Sequence, residues 1–164
     1  MTEKDLLEGK KVLIVDDEPD VLETLEELLS MCDITRASSF DEAKELLQNQ
    51  DFEMAILDIM GVEGYRLLEI ANEKKIIAIM LTAHELSIQN TIKAFQEGAA
   101  SYVPKDEMVN IDVYLNDILE AKERGKSLWW RWRERFGTYY DKKFGTNWKE
   151  KEKGRAFWEQ IGYW

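Results

Sequence analysis

Two apolar runs in this chain end in acids: Val12-Leu13-Ile14-Val15 leads into Asp16-Asp17, and Met54-Ala55-Ile56-Leu57 leads into Asp58. Two others end in different polar groups. Ile76 to Leu81 precedes Thr82, and Ser101-Tyr102-Val103-Pro104 precedes Lys105. Crowded carboxylates repel, so they share a proton or bind a hard cation through oxygen. Mg²⁺ suits one or two protein carboxylates together with phosphoryl oxygens and water. A lysine and a hydroxyl alongside can hold the remaining phosphoryl oxygens. The chemistry this set suggests is phosphoryl transfer onto a carboxylate.

For these groups to meet, their runs must end at one edge of a sheet. Short, unbroken apolar runs suit strands buried on both faces, as in a parallel sheet, whose carboxyl ends open onto a ligand crevice. Amphipathic segments lie between them. Val21, Leu22, Leu25, Leu28 and Leu29 recur at helical spacing after Pro19-Asp20, and Asp20 is read as the cap that leaves Asp16 and Asp17 free. Ile34 to Ala37 reads as a short strand, and Ser39 with Glu42 as a capping box for a helix carrying Ala43, Leu46 and Leu47. Further helices carry Leu67, Leu68 and Ile70, then Ile88, Ile92 and Phe95, then Ile111, Leu115, Ile118 and Leu119. Strand and helix alternate throughout, which predicts a doubly wound α/β sheet with right-handed crossovers.

Over residues 9–124 the sequence resembles the receiver domains of two-component response regulators, through these acids, the hydroxyl and the lysine taken in order. The resemblance implies a flavodoxin-like parallel sheet in the order 2-1-3-4-5, with Asp16, Asp17 and Asp58 on adjacent central strands. It implies that Asp58 is the phosphoacceptor. Asp16, Asp17, Asp58 and the backbone carbonyl of Met60 would hold Mg²⁺. Thr82 corresponds to the switch hydroxyl, and Lys105 to the lysine that pairs with the aspartate and then with the phosphoryl oxygen. Tyr102 matches the rotameric switch aromatic, and Ala83 the small residue that leaves the site accessible. His84, the sole histidine, is read as a rim residue that tunes phosphate lifetime; with no second histidine or nearby cysteine it makes a poor metal ligand. The implied partner is a sensor histidine kinase or phosphotransfer protein, and the implied activity is Mg²⁺-dependent self-phosphorylation and autodephosphorylation. The face made by the fourth helix, fifth strand and fifth helix would carry the signal onward.

The chain also departs from that family. Asp58-Ile59-Met60-Gly61-Val62-Glu63-Gly64 lacks the usual Met-Pro step, and its glycine comes about two residues early. The loop is read as short, with its two glycines supplying unusual dihedrals. Many receivers have Lys-Pro with a cis bond, whereas here Pro104 precedes Lys105 and Asp106 follows it. A cis bond before Asp106 would be costly, so a different local path is expected. An aspartyl phosphohydrolase, the other obvious use of such a nucleophile, wants a second acid two residues on; this chain has Met60 there.

The 164 residues suffice for one domain and a remainder. No run approaches the length of about eighteen apolar residues that spans a bilayer. Met1-Thr2-Glu3-Lys4-Asp5 does not read as a signal peptide, and the lone Cys32 suits a reducing compartment, so a cytoplasmic location is expected. Residues 125–164 are a different material. All six tryptophans lie there, with Phe136, Tyr139, Tyr140, Phe144, Phe157 and Tyr163. Residues 1–125 carry 12 basic and 28 acidic side chains, net −16, whereas 126–164 carry 10 and 5, net +5. This segment is expected to act as an oligomerisation or output element. It would pack on its own receiver, on a second copy in a homodimer, or on another protein whose identity the sequence leaves open. Basic residues interleaved with tryptophan also suit nucleic acid or an anionic membrane. The −16 body argues against nucleic acid, and hence against a DNA-binding regulator. A receiver turned phosphate-independent interaction module is the remaining alternative, favoured by the short loop.

Overall fold

The computed structural model describes residues 6–83 and 88–125. Strands β1 (Lys11–Val15), β2 (Asp33–Ala37), β3 (Met54–Asp58), β4 (Ile77–Thr82) and β5 (Ser101–Pro104) alternate with helices α1 (Pro19–Leu28), α2 (Phe40–Asn49), α3 (Gly64–Glu73), α4 (Ile88–Gln96) and α5 (Ile111–Glu123). The strands form one parallel sheet in the order β2-β1-β3-β4-β5, covered by helices on both faces. This is the expected flavodoxin-like arrangement. β3 is buried at every position and β1 at all but Lys11, as strands covered on both sides must be.

Local chemistry explains most of the element ends. Ser39 Oγ accepts the Glu42 N–H at 3.2 Å and caps α2. α1 corrects the expectation for Asp20. Glu18 holds the cap position without a side-chain bond and Pro19 opens the helix, so Asp20 falls inside the first turn. A proline's fixed φ suits that opening position, which pushes the cap back to the residue before it. After Pro104, Lys105–Asn110 form a 3₁₀ helix leading into α5, with no cis peptide among the described residues. The sequence pattern gave no sign of this helix.

The core also begins ahead of residue 9. Leu7 is fully buried, the Leu6 N–H donates to Asn116 Oδ1 at 3.0 Å, and Cys32 Sγ lies 3.5 Å from the Leu7 carbonyl. This segment ties the base of β1 to α5. Cys32 is thus half-buried and engaged, consistent with its reading as a packed thiol. No helix of the described residues is long and apolar enough to cross a membrane. His84 and residues 126–164, with every expectation placed on them, lie outside the described residues.

Candidate functional site

The sheet's hydrogen-bond ladder sets the acids in place. β1 runs one residue past its end, since the Asp16 N–H donates to the Ala37 carbonyl at 3.2 Å. Asp58 closes β3 opposite Leu81 of β4, and the next amide, Ile59, donates to the Leu81 carbonyl at 3.1 Å. Thr82 closes β4 opposite Pro104 of β5, directly before Lys105. Four strand ends therefore deliver Asp16, Asp58, Thr82 and Lys105 to one edge. Two of these residues are carboxylates on adjacent strands.

Lys105 is the hub of the ion pairs. Its Nζ lies 2.9 Å from Asp16 Oδ2, 3.4 Å from Asp58 Oδ1 and 3.8 Å from Glu18 Oε1. The pairing expected with Asp58 is present, but the shorter contact is to Asp16. Asp16 is fully buried, and its Oδ1 accepts the Glu18 N–H at 2.9 Å. Its buried Oδ2 has no well-aligned hydrogen bond, because the ammonium meets it at a poor angle. Asp58 is 4% exposed, and its Oδ2 accepts the Gly61 N–H at 3.3 Å. Burial pushes the Asp16 carboxyl above its ordinary value of 3.8; the bonds from Lys105 and Glu18 oppose this, and the nearby Asp58 charge reinforces it. Burial alone would lower Lys105, but the Asp16, Asp58 and Glu18 carboxylates outweigh it and raise the ammonium above 10.5.

These shifts have opposite consequences for stability. Asp16 binds its proton more tightly when folded, so its contribution falls as pH rises from about 3.8 through the higher folded value. Lys105 stabilises the fold fully below 10.5 and loses that contribution as pH rises through its folded value. Neutralising the buried acid should therefore help at neutral pH. We expect Asp16→Asn, without added metal, to raise the unfolding midpoint at pH 7, since Lys105 keeps Asp58 and Glu18 as partners. Denaturant unfolding at pH 7 measures it, and an unchanged or lower midpoint would contradict the picture of an undercompensated buried charge.

A cation fits here. Three acids, Asp16, Asp58 and Glu18, surround the one ammonium of Lys105, and oxygens of Asp16, Asp17 and Glu18 lie within 4.8 Å of one another. Hard oxygen donors in such a cluster suit Mg²⁺. Asp17 is exposed and packs beside Gly61, where a Cβ would collide with its carboxylate. The Met60 carbonyl accepts a long bond, 3.5 Å, from the Glu63 N–H, which leaves it a second lone pair. The Met60 side chain itself is 64% exposed.

The loop after Asp58 corrects the reading of its glycines. Neither Gly61 nor Gly64 has a positive φ; Glu63 between them does, at 53°. What the glycines provide is closeness. A Cβ at Gly64 would run into the Asp58 carbonyl oxygen and sit 2.8 Å from Ile59 Cα. Glu63 takes the left-handed position as the cap of α3, and its carboxylate pairs with Arg66 at 3.0 Å.

Thr82 and Tyr102 are both buried and are hydrogen-bonded to each other. Burial pushes the Tyr102 phenol above its ordinary 10.0, and the bond from Thr82 partly offsets this. Ala83 is exposed at the mouth of the site. Glu18 is the participant the sequence reading missed. Its place two residues after Asp16 at the same strand end was the available signal.

Residues 12–115 match the family model of the response regulator receiver domain. The chain is 36% identical over 103 residues to the two-component response regulator ARR18 of Arabidopsis thaliana, covering 59% of this chain and 16% of that one. It is 34% identical over 126 residues to the sensory transduction protein LytR of Staphylococcus epidermidis, covering 71% of this chain and 49% of that one. It thus spans half or less of these relatives. Among solved structures, a response regulator receiver domain protein from Methanospirillum hungatei superposes with a TM-score of 0.58 at 25% identity, over 68% of this chain and 98% of that one. The receiver domain of a Francisella response regulator has the same fold, with a TM-score of 0.62 at 23% identity, over 70% of this chain and 99% of that one. A five-stranded parallel sheet in this order with acids gathered at its carboxyl edge is the arrangement expected of a receiver domain. The chain belongs to the response regulator receiver family.

Proposed function

We propose that Asp58 accepts a phosphoryl group from a phosphohistidine on a sensor histidine kinase or phosphotransfer protein, in a Mg²⁺-dependent reaction. The observation that carries this reading is the environment of the Asp58 carboxylate. It is nearly buried at a strand end, with one oxygen facing the Lys105 ammonium and the other receiving the Gly61 N–H. A carboxylate oxygen forms the new bond to phosphorus as the donor's phosphorus–nitrogen bond breaks, and the electron pair leaves with the imidazole. Lys105 is placed to hold a transferred oxygen by a charge-assisted bond. Asp16, Asp17, Asp58 and the Met60 carbonyl would hold Mg²⁺, with Glu18 beside them. When bound, Mg²⁺ supplies positive charge against the phosphoryl oxygens. Ala83 leaves the approach open, and Thr82 turns its hydroxyl toward the new charge. Tyr102, bonded to Thr82, passes the change to the face of α4, β5 and α5, from which residues 125–164 continue. The receiver would do this in the cytoplasm.

Incubation of the full chain with acetyl phosphate and Mg²⁺, followed by intact mass measurement, tests this directly. A gain of one phosphoryl group that disappears with EDTA is expected. No gain at saturating donor would sink the reading and leave a receiver fold used as a phosphate-independent interaction module.

A further inference from the structure

Among the described residues, the large apolar side chains standing in solvent are Met60, Val109 and Val113. Met60 belongs to the loop over the acids. Val109 and Val113 are one helical turn apart, where the 3₁₀ helix runs into α5, and are 66% and 37% exposed. Asp106, Glu107 and Asp112 flank them in sequence; further along the helix Glu120 pairs with Arg124 at 3.3 Å, with Lys122 and Glu123 between. The result is a small aliphatic ridge with an acidic surround. Residues 126–164 leave from the far end of this same helix, after Gly125. These 39 residues hold twelve aromatics and a net charge of +5, against −16 for residues 1–125.

We propose that the Val109–Val113 ridge of α5, with its acidic surround, is the docking surface for residues 126–164 of the same chain. Three considerations select this occupant. Aromatic side chains at that density gain most by leaving water, and the ridge offers apolar surface to meet them. The charges are complementary, acid on the helix and base on the segment. The tether is short, since Val113 lies about 18 Å from Gly125 along the helix, a span that about six extended residues cover. Tethering also gives the segment an effective concentration of about millimolar, which a second copy reaches only at high protein concentration. The inference is independent of the phosphoryl-transfer reading.

Tryptophan emission tests it on the full chain, because every tryptophan lies in residues 126–164. The wild-type chain should show blue-shifted emission and partial protection from acrylamide, both independent of protein concentration. Val109→Lys with Val113→Lys adds two positive charges where the basic segment would sit, on side chains outside the core. Losing either valine contact should reduce the ratio of docked to free segment by about tenfold, seen as a red shift and faster quenching. Thermal unfolding followed by far-ultraviolet circular dichroism confirms that the double variant still folds. A photo-crosslinker at position 113, in a mixture of isotopically heavy and light chains, should join light to light and heavy to heavy. Unchanged emission in the folded double variant would overturn the proposal, as would heavy-to-light crosslinks, which would name a second copy as the occupant. Wild-type emission of exposed indole that turns blue only with phosphatidylglycerol vesicles would overturn it in favour of a membrane surface.

Discussion

Asp58→Asn is expected to take up no phosphoryl group: acetyl phosphate with Mg²⁺ should leave its mass unchanged, a fall in rate of at least about a thousandfold. Asparagine keeps the size of the side chain and an oxygen for the Gly61 N–H, now 3.3 Å from Asp58 Oδ2. It removes the anionic nucleophile. Loss of uptake will not reflect loss of fold. Lys105 keeps its contacts to Asp16 at 2.9 Å and Glu18 at 3.8 Å, and the charge that helps to raise Asp16 is gone. The variant should therefore melt no lower than the wild type. A persistent mass gain in this variant would move the acceptor elsewhere, and a collapsed melting curve would leave the comparison without meaning.

Gly64→Ala should damage both fold and site. The new Cβ would strike the Asp58 carbonyl oxygen and the Ile59 backbone, so the strand end or the loop must give way. Overpacking against rigid backbone costs about 1–3 kcal/mol. The displaced residue is the proposed nucleophile, so phosphoryl uptake should fall along with the melting temperature. Gly61→Ala provides the contrast. There the obstacle is the exposed carboxylate of Asp17, which can swing away, so stability should change by no more than about 0.5 kcal/mol. Uptake should still weaken at low Mg²⁺ and recover at high Mg²⁺. Equal stability losses in the two variants would show that the loop is softer than its packing implies.

The sheet order came from the resemblance to receivers, whereas the delivery of Asp16, Asp58, Thr82 and Lys105 to one edge was legible in the sequence itself, because strand-end residues are fixed by topology. Buried parallel strands write themselves as apolar runs, and the residue after each run lands at the crevice. What depends on a few degrees of backbone was not legible. Asp20 looked like a cap, but Pro19 had already begun the helix. The loop glycines looked like turn residues, but the positive φ belongs to Glu63, and contact with Asp17 and Asp58 explains the missing side chains. No spacing rule reports such a contact. Leu7 was missed because its partners, β1's base and α5, are distant in sequence. Glu18 was passed over, because only the position of Lys105 across the sheet gives it a partner.

The bond between Thr82 and Tyr102 can run in either of two directions. A hydroxyl carries one proton and can accept on two lone pairs. If threonine gives its proton to the phenol, it has none left for the site. If the phenol donates instead, the threonine proton is free to face Asp58, and the two bonds point the same way, each polarising the other. The bond lowers the Tyr102 pKa against the effect of burial, as a threonine hydroxyl donating to the phenol oxygen does, so the first order is the resting one. Negative charge arriving at Asp58 favours the second order, and two protons can reverse direction while the ring stays where it is. Here the aromatic residue does more than fill or vacate a space. On the proposed phosphorylation of Asp58 it would set the polarity of a short proton wire, which phenylalanine, of nearly the same volume, would leave without a source.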